Sequence, residues 1–121
     1  MDHVAILKKR WIEKILSGEK TIESRWSKTR RTPYMRIAQG DRIFFKETGK
    51  RLTARAKVKK TLFFELDIKK TNDIIAKYGK ELCLDNASIG MTQDKKFCTL
   101  VFLKDIRKIR PFEITKKGFG N

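Results

Sequence analysis

Gly18-Glu19-Lys20-Thr21-Ile22-Glu23-Ser24-Arg25-Trp26 places a glycine, a cation, a carboxylate and a second cation between an amphipathic helical pattern and a long basic loop. A strand that only fills a core has no use for that mixture. A site that holds an anionic, hydrogen-bonding ligand such as a nucleotide does. Glu23 and Arg25 are two apart, so on a strand they share a face. They can pair with each other, or both can reach a ligand. A carboxylate accepts from an exocyclic amine, and a guanidinium forks onto a carbonyl or phosphate. Lys20 is three residues from Glu23 and would point to the opposite face of a regular strand. It joins the same site only if the strand begins just after it, which Gly18 makes possible.

Upstream, Trp11, Ile12, Ile15 and Leu16 fall on one helical face over 9–17, with Lys9, Arg10, Glu13 and Lys14 on the other. Gly18 suits the positive φ of a helix C-terminus. Residues 3–7 read as a short buried strand and 20–26 as a second one. Downstream, 27–40 reads as a loop punctuated by Pro33. Strands are expected at 42–46 and, after the Thr48-Gly49-Lys50 turn, at 51–59. There Leu52, Ala54, Ala56 and Val58 alternate with Arg51, Thr53, Arg55, Lys57 and Lys59, which predicts one core face and one basic, wet face. A second helix over 67–79 would turn Ile68, Ile74, Ile75 and Tyr78 inward, with Gly79 as its C-cap. Residues 80–96 read as irregular with one short helical turn. Residues 97–103 are apolar on both faces and read as a central strand, followed by a last strand near 105–110. The fold class is α+β, a mixed or antiparallel barrel of about five to six strands with two to three flanking helices. The 121 residues read as one domain, with a flexible tail at 115–121.

Thirty Lys and Arg face fourteen Asp and Glu, a formal net charge of +16. That excess favours polyanionic partners, with RNA or a nucleotide first and DNA second. No stretch approaches the ~20 apolar residues that span a bilayer, so no membrane is expected and the chain reads as cytoplasmic. Cys83 and Cys98 read as reduced, partly buried thiols. With one histidine, the scattered N/S ligands do not make a structural zinc site. No metal or cofactor is expected. The loop 26–36 interleaves rings and cations as Trp26, Lys28, Arg30, Arg31, Tyr34 and Arg36, the pattern with which single-stranded RNA is gripped. Trp26 and Tyr34 also suit plugs that close a barrel end. The candidate ligand set is Lys20, Glu23, Arg25, Trp26, Arg30, Arg31, Tyr34, Arg36 and Lys46.

Gly18, Lys20, Glu23 and Arg25 resemble the Gly-x-Lys-x-x-Glu-x-Arg signature of the ASCH domain, the domain homologous to the activating signal cointegrator. The resemblance extends in order through the helix 9–17, Arg30-Arg31-Thr32-Pro33-Tyr34, Ile37-Ala38-Gln39-Gly40-Asp41, the strand 97–103 and Arg110-Pro111-Phe112. It implies a PUA-like barrel with a cleft over the signature that binds RNA or nucleotides. It also implies two enzymatic alternatives. One branch of the family resembles N4-acetylcytidine amidohydrolases, whose proposed machinery is a Lys, a Thr and a Glu. Lys20 matches the lysine, but the threonine falls where this chain has Glu23, and a carboxylate does not replace a hydroxyl nucleophile in the same mechanism. Ribonuclease activity is the other, with Lys20 as an electrostatic group and Glu23 as base. A protein-interaction adaptor in transcription or translation is a third reading.

Overall fold

The structure, a computed structural model, describes residues 1–30 and 36–112. The expectations for Arg31, Tyr34 and the tail at 115–121 lie outside the described residues. Among the described residues five strands and three helices follow one another as β1 (Asp2–Ile6), α1 (Lys9–Leu16), β2 (Ile22–Ser27), β3 (Arg42–Lys46), β4 (Leu52–Glu65), α2 (Ile68–Leu82), α3 (Asn86–Thr92) and β5 (Phe97–Phe112). The strands form one mixed sheet in the order β1-β3-β4-β5-β2. Only β1 and β3 run parallel; the other pairings are antiparallel. The expected α+β class is what the chain adopts.

The alternation over 51–59 is a strand with one face in the core: Leu52, Ala54, Ala56 and Val58 are buried, while Arg51, Lys57 and Lys59 are exposed. The strand then runs on to Glu65, because Thr61-Leu62-Phe63-Phe64 has apolar side chains for both faces. Phe63 packs with Ile12, Ile15, Val58 and Val101 beneath α1, whereas Leu62 and Phe64 pack with Ile22, Ile74, Leu82 and Leu100 beneath α2. The sheet is thus covered by α1 on one face and by α2 on the other.

Three expectations are corrected. The strands near 97–103 and 105–110 are one strand, β5, which passes through Asp105 at φ 51. Arg55 pairs with Arg107 and Lys57 with Lys104, so Asp105 and Ile106 together oppose Ala56. Such a bulge bends the strand without ending it. The second helix continues through Gly79 to Leu82, and its cap is Cys83 in the left-handed conformation, with its N–H donating to the Gly79 carbonyl at 3.0 Å. A cap needs positive φ and glycine supplies it most cheaply, but Cys83 holds φ 56 here with its Sγ 3.4 Å from the Glu19 carbonyl. Ile68, expected inward, is exposed, because the helix begins at that residue and Thr71 and Ile74 carry the buried face.

Asp41 fixes the turn into β3. Its carboxylate accepts the Ala38 N–H at 3.0 Å and lies 2.9 Å from His3 Nε2. Burial alone would raise its pKa; the bonds from His3 and Ala38 outweigh that and hold the carboxyl below its usual value. Burial pushes the Cys98 thiol well up, which keeps it protonated and inert. Among the described residues no helix is long and apolar enough to cross a membrane.

Candidate functional site

Lys20 reaches the site because β2 begins at Ile22, after it. Helix α1 closes on Gly18 at φ 85, whose N–H donates to the Ile15 carbonyl at 3.1 Å, and the Lys20 N–H donates to the Lys14 carbonyl at 3.0 Å. That tight reversal turns the Lys20 side chain under the sheet edge. There its Nζ donates to the Leu82 carbonyl at 2.5 Å. Leu82 is the last residue of α2, so the ammonium satisfies a helix-end carbonyl and sits where the helix dipole favours a cation.

Glu23 lies beside it, at the second residue of β2. Its Oε1 accepts the Ser24 N–H at 2.9 Å and stands 4.0 Å from Lys20 Nζ. Its Oε2 is 3.8 Å from an Arg25 guanidinium nitrogen, is buried, and has no hydrogen-bond partner among the described residues. The Lys20 and Glu23 side chains are 3% and 7% exposed, against 38% for Arg25. Burial lowers the Lys20 pKa, and the neighbouring Glu23 carboxylate opposes that shift. The site therefore holds a buried carboxylate between two cations, with one oxygen left without a donor. A buried acceptor in that state costs about 1–3 kcal/mol unless a partner arrives.

A cleft of about 360 Å³ opens over these groups, within the roughly 300–1,000 Å³ range of small-molecule sites. Lys20, Glu23, Ser24, Arg25 and Trp26 line one side; Leu7 and Trp11 line another; Leu84, Ser88, Met91, Thr92 and Lys95 close it from α3 and its flanks. Trp26 is held by its Nε1–H, which donates to Ser24 Oγ at 2.8 Å. The Trp11 ring has Arg10, Lys14 and Lys20 cations 4.7, 5.7 and 5.6 Å from its centroid. A half-buried ring with cations over it is a stacking surface that stays close to charge.

Four of the sequence-derived candidates thus converge: Lys20, Glu23, Arg25 and Trp26. Arg30 does not join them. Its guanidinium lies 2.6 Å from Glu65 and 5.4 Å over the Phe97 ring, so the anion expected beside it is a carboxylate of the chain itself. Arg36 is exposed and does not line the cleft. Lys46 is placed outside the cleft wall; its carbonyl accepts the N–H of Leu7, which does line it. The α3 contribution and Trp11 were missed. Asp85, whose side chain accepts the Ser88 N–H at 2.8 Å, is the N-cap that signals α3.

No family description matches the chain, and no curated protein matches it in sequence. Solved structures do. The ASCH protein of Zymomonas mobilis superposes with a TM-score of 0.72 at 25% identity, covering 92% of this chain and 72% of that one. The chain is similar in fold to an ASCH domain. A tyrosine-to-phenylalanine variant of the same Zymomonas protein matches over 92% of this chain at 25% identity, and a serine-to-alanine variant over 91% at 26%. A protein described only as hypothetical shares the fold, at 19% identity and a TM-score of 0.58 over 90% of this chain. The cleft lies over the Gly18-x-Lys20-x-x-Glu23-x-Arg25 stretch, where the resemblance implied one.

Proposed function

We propose that this one-domain chain binds RNA or a nucleotide by seating a base in the Lys20–Glu23 cleft. The observation that carries the reading is Glu23 Oε2, a buried carboxylate oxygen at an open cleft with no hydrogen-bond donor among the described residues. An exocyclic amino group supplies the missing donor. Arg25 and Lys95 on the rim suit a carbonyl or a phosphate, and Trp26 and Trp11 offer faces on which a base stacks, worth roughly 1–3 kcal/mol per base. The excess of basic residues adds the attraction that draws a polyanion in.

A hydrolytic use of the same cleft is the second reading, and one observation favours it: burial lowers the Lys20 pKa beside a carboxylate. Groups with shifted proton affinity at a cleft are the ones that catalysis recruits. Glu23 would act as base and Lys20 as the charge that steadies an oxyanion.

Both readings are tested by titrating labelled single-stranded RNA, duplex RNA and single-stranded DNA across a salt series, and then running the recovered RNA on a gel. The binding reading expects salt-dependent affinity for single-stranded RNA that Lys20→Ala and Glu23→Ala weaken, with the RNA intact. RNA cut by the parent chain and spared by either variant would replace it with the enzymatic reading. Affinity that ignores both substitutions would remove the cleft from either.

A further inference from the structure

We propose that the outer face of β3, β4 and β5 carries a second, separate anion site that grips the phosphate backbone of a nucleic acid. Arg42, Arg55, Ala56, Lys57, Asp105 and Arg107 surround a groove of about 220 Å³. Arg55 and Lys57 alternate along β4 with Ala54, Ala56 and Val58, which are buried in the core beneath α1. Glu23 pairs across strands with Val101 of that same core. The groove therefore opens on the face of the sheet opposite Glu23, and the two sites share no lining residue.

The register makes this face electrostatically unusual. Arg42 stands directly opposite Lys57, Arg55 opposite Arg107, and Lys57 opposite Lys104. Like charges in direct cross-strand register destabilise a sheet. Arg42 is matched by Asp2, which takes its guanidinium at two points of 2.8 Å each. No salt bridge joins Arg55, Lys57 or Arg107 to a carboxylate among the described residues, although Asp105 also lines the groove. The bulge at Asp105 bends β5 over Ala56 and makes the face concave, while Ile106 turns into the core. A chain that keeps repelling cations together around a hollow gains stability when an anion fills it.

The form of the groove selects the anion. It is smaller than the roughly 300–1,000 Å³ of base- or drug-sized sites, and among the described residues no aromatic side chain lines it. It suits phosphate oxyanions and not a stacked base. Among the described residues no large apolar side chain lines it either, so they offer nothing to insert into a lipid surface. Phosphate contacts of this kind position a nucleic acid and read no sequence.

The test is the triple variant Arg55→Gln, Lys57→Gln, Arg107→Gln. It removes repulsion, so its thermal midpoint should equal or exceed that of the parent chain, which establishes that it folds. Its affinity for single-stranded RNA is measured against salt, together with its affinity for cytidine monophosphate. The slope of log K against log salt should fall by about 2, from three lost phosphate contacts at ~0.7 each, while monophosphate affinity stays unchanged. A reduced slope with no monophosphate binding in either protein would still support the groove and would count against the cleft reading alone. An unchanged slope, or no polymer binding by the parent chain, overturns the proposal. So does loss of binding to phosphatidylserine vesicles with the RNA slope intact, which would assign the face to a membrane.

Discussion

Replacing Lys20 with methionine is expected to destabilise the fold by about 3–5 kcal/mol, the loss that follows when one partner of a buried ion pair is removed. Lys20 and Glu23 are both buried, and the ammonium also holds the Leu82 carbonyl at the end of α2. The methionine would fill the space but leave a buried carboxylate whose one remaining counter-charge among the described residues is the half-exposed Arg25 guanidinium, 3.8 Å away. Adding Glu23→Gln removes that stranded charge and should recover a large part of the loss. Urea unfolding of the parent, single and double variants at neutral pH decides the matter. A single variant within 1 kcal/mol of the parent, or a double variant no better than the single, would mean that the pair is not coupled as the distances imply.

The same residue leaves a signature in pH. Burial lowers the Lys20 pKa in the folded chain below the 10.5 of the unfolded one. Below the folded value both states carry the proton, and above 10.5 neither does. Between them the unfolded chain binds more protons, so stability rises with pH across that window. The parent chain should show this alkaline rise, and Lys20→Met should lack it.

Glu23→Gln is expected to weaken binding of cytidine or adenosine monophosphate by roughly tenfold to a hundredfold, since a hydrogen bond to a charged group contributes about 1.5–3 kcal/mol. The amide keeps the shape of the side chain and can still accept from the Ser24 N–H, but it loses the charge that an exocyclic amine favours. Uridine monophosphate has no exocyclic amine. It should bind the parent chain more weakly and should respond less to the substitution. Calorimetric titration of the three nucleotides against both proteins gives the comparison. Equal loss for all three would mean that Glu23 shapes the cleft without reading the base.

The alternation at 51–59 and the helical spacing at 9–17 were legible in the sequence because each is a local period imposed by one covered face. Lys20, Glu23, Arg25 and Trp26 were legible as a group for a similar reason: seven consecutive residues fold into one turn and one strand. The far wall of the cleft was not. Leu84, Ser88, Met91 and Thr92 lie more than sixty positions from Lys20, and nothing in their own spacing says which element they face. Helix α3 spans seven residues, Asn86–Thr92, too few to show a period. The capping of Leu82 by Lys20 joins residues 62 apart. Arg30 illustrates the opposite error. Its charge and its aromatic neighbours resembled a ligand contact, yet Glu65, distant in sequence, answers that charge within the fold. The bulge at Asp105 hid the continuity of β5, since an extra residue between the Lys104 and Arg107 pairings breaks the register without ending the strand.

The most direct measurement is a map of backbone amide shifts by two-dimensional NMR as unlabelled cytidine monophosphate is added to the labelled chain. Seating of a base over Glu23 predicts shifts concentrated at residues 20–27, at the Trp11 indole N–H and over 84–95, with Ser24 among the largest because its N–H shares the Glu23 carboxylate. Shifts confined to Arg42, Arg55, Lys57 and Arg107, or no shifts at millimolar nucleotide, would contradict the assignment of the cleft as the place where this chain holds its ligand.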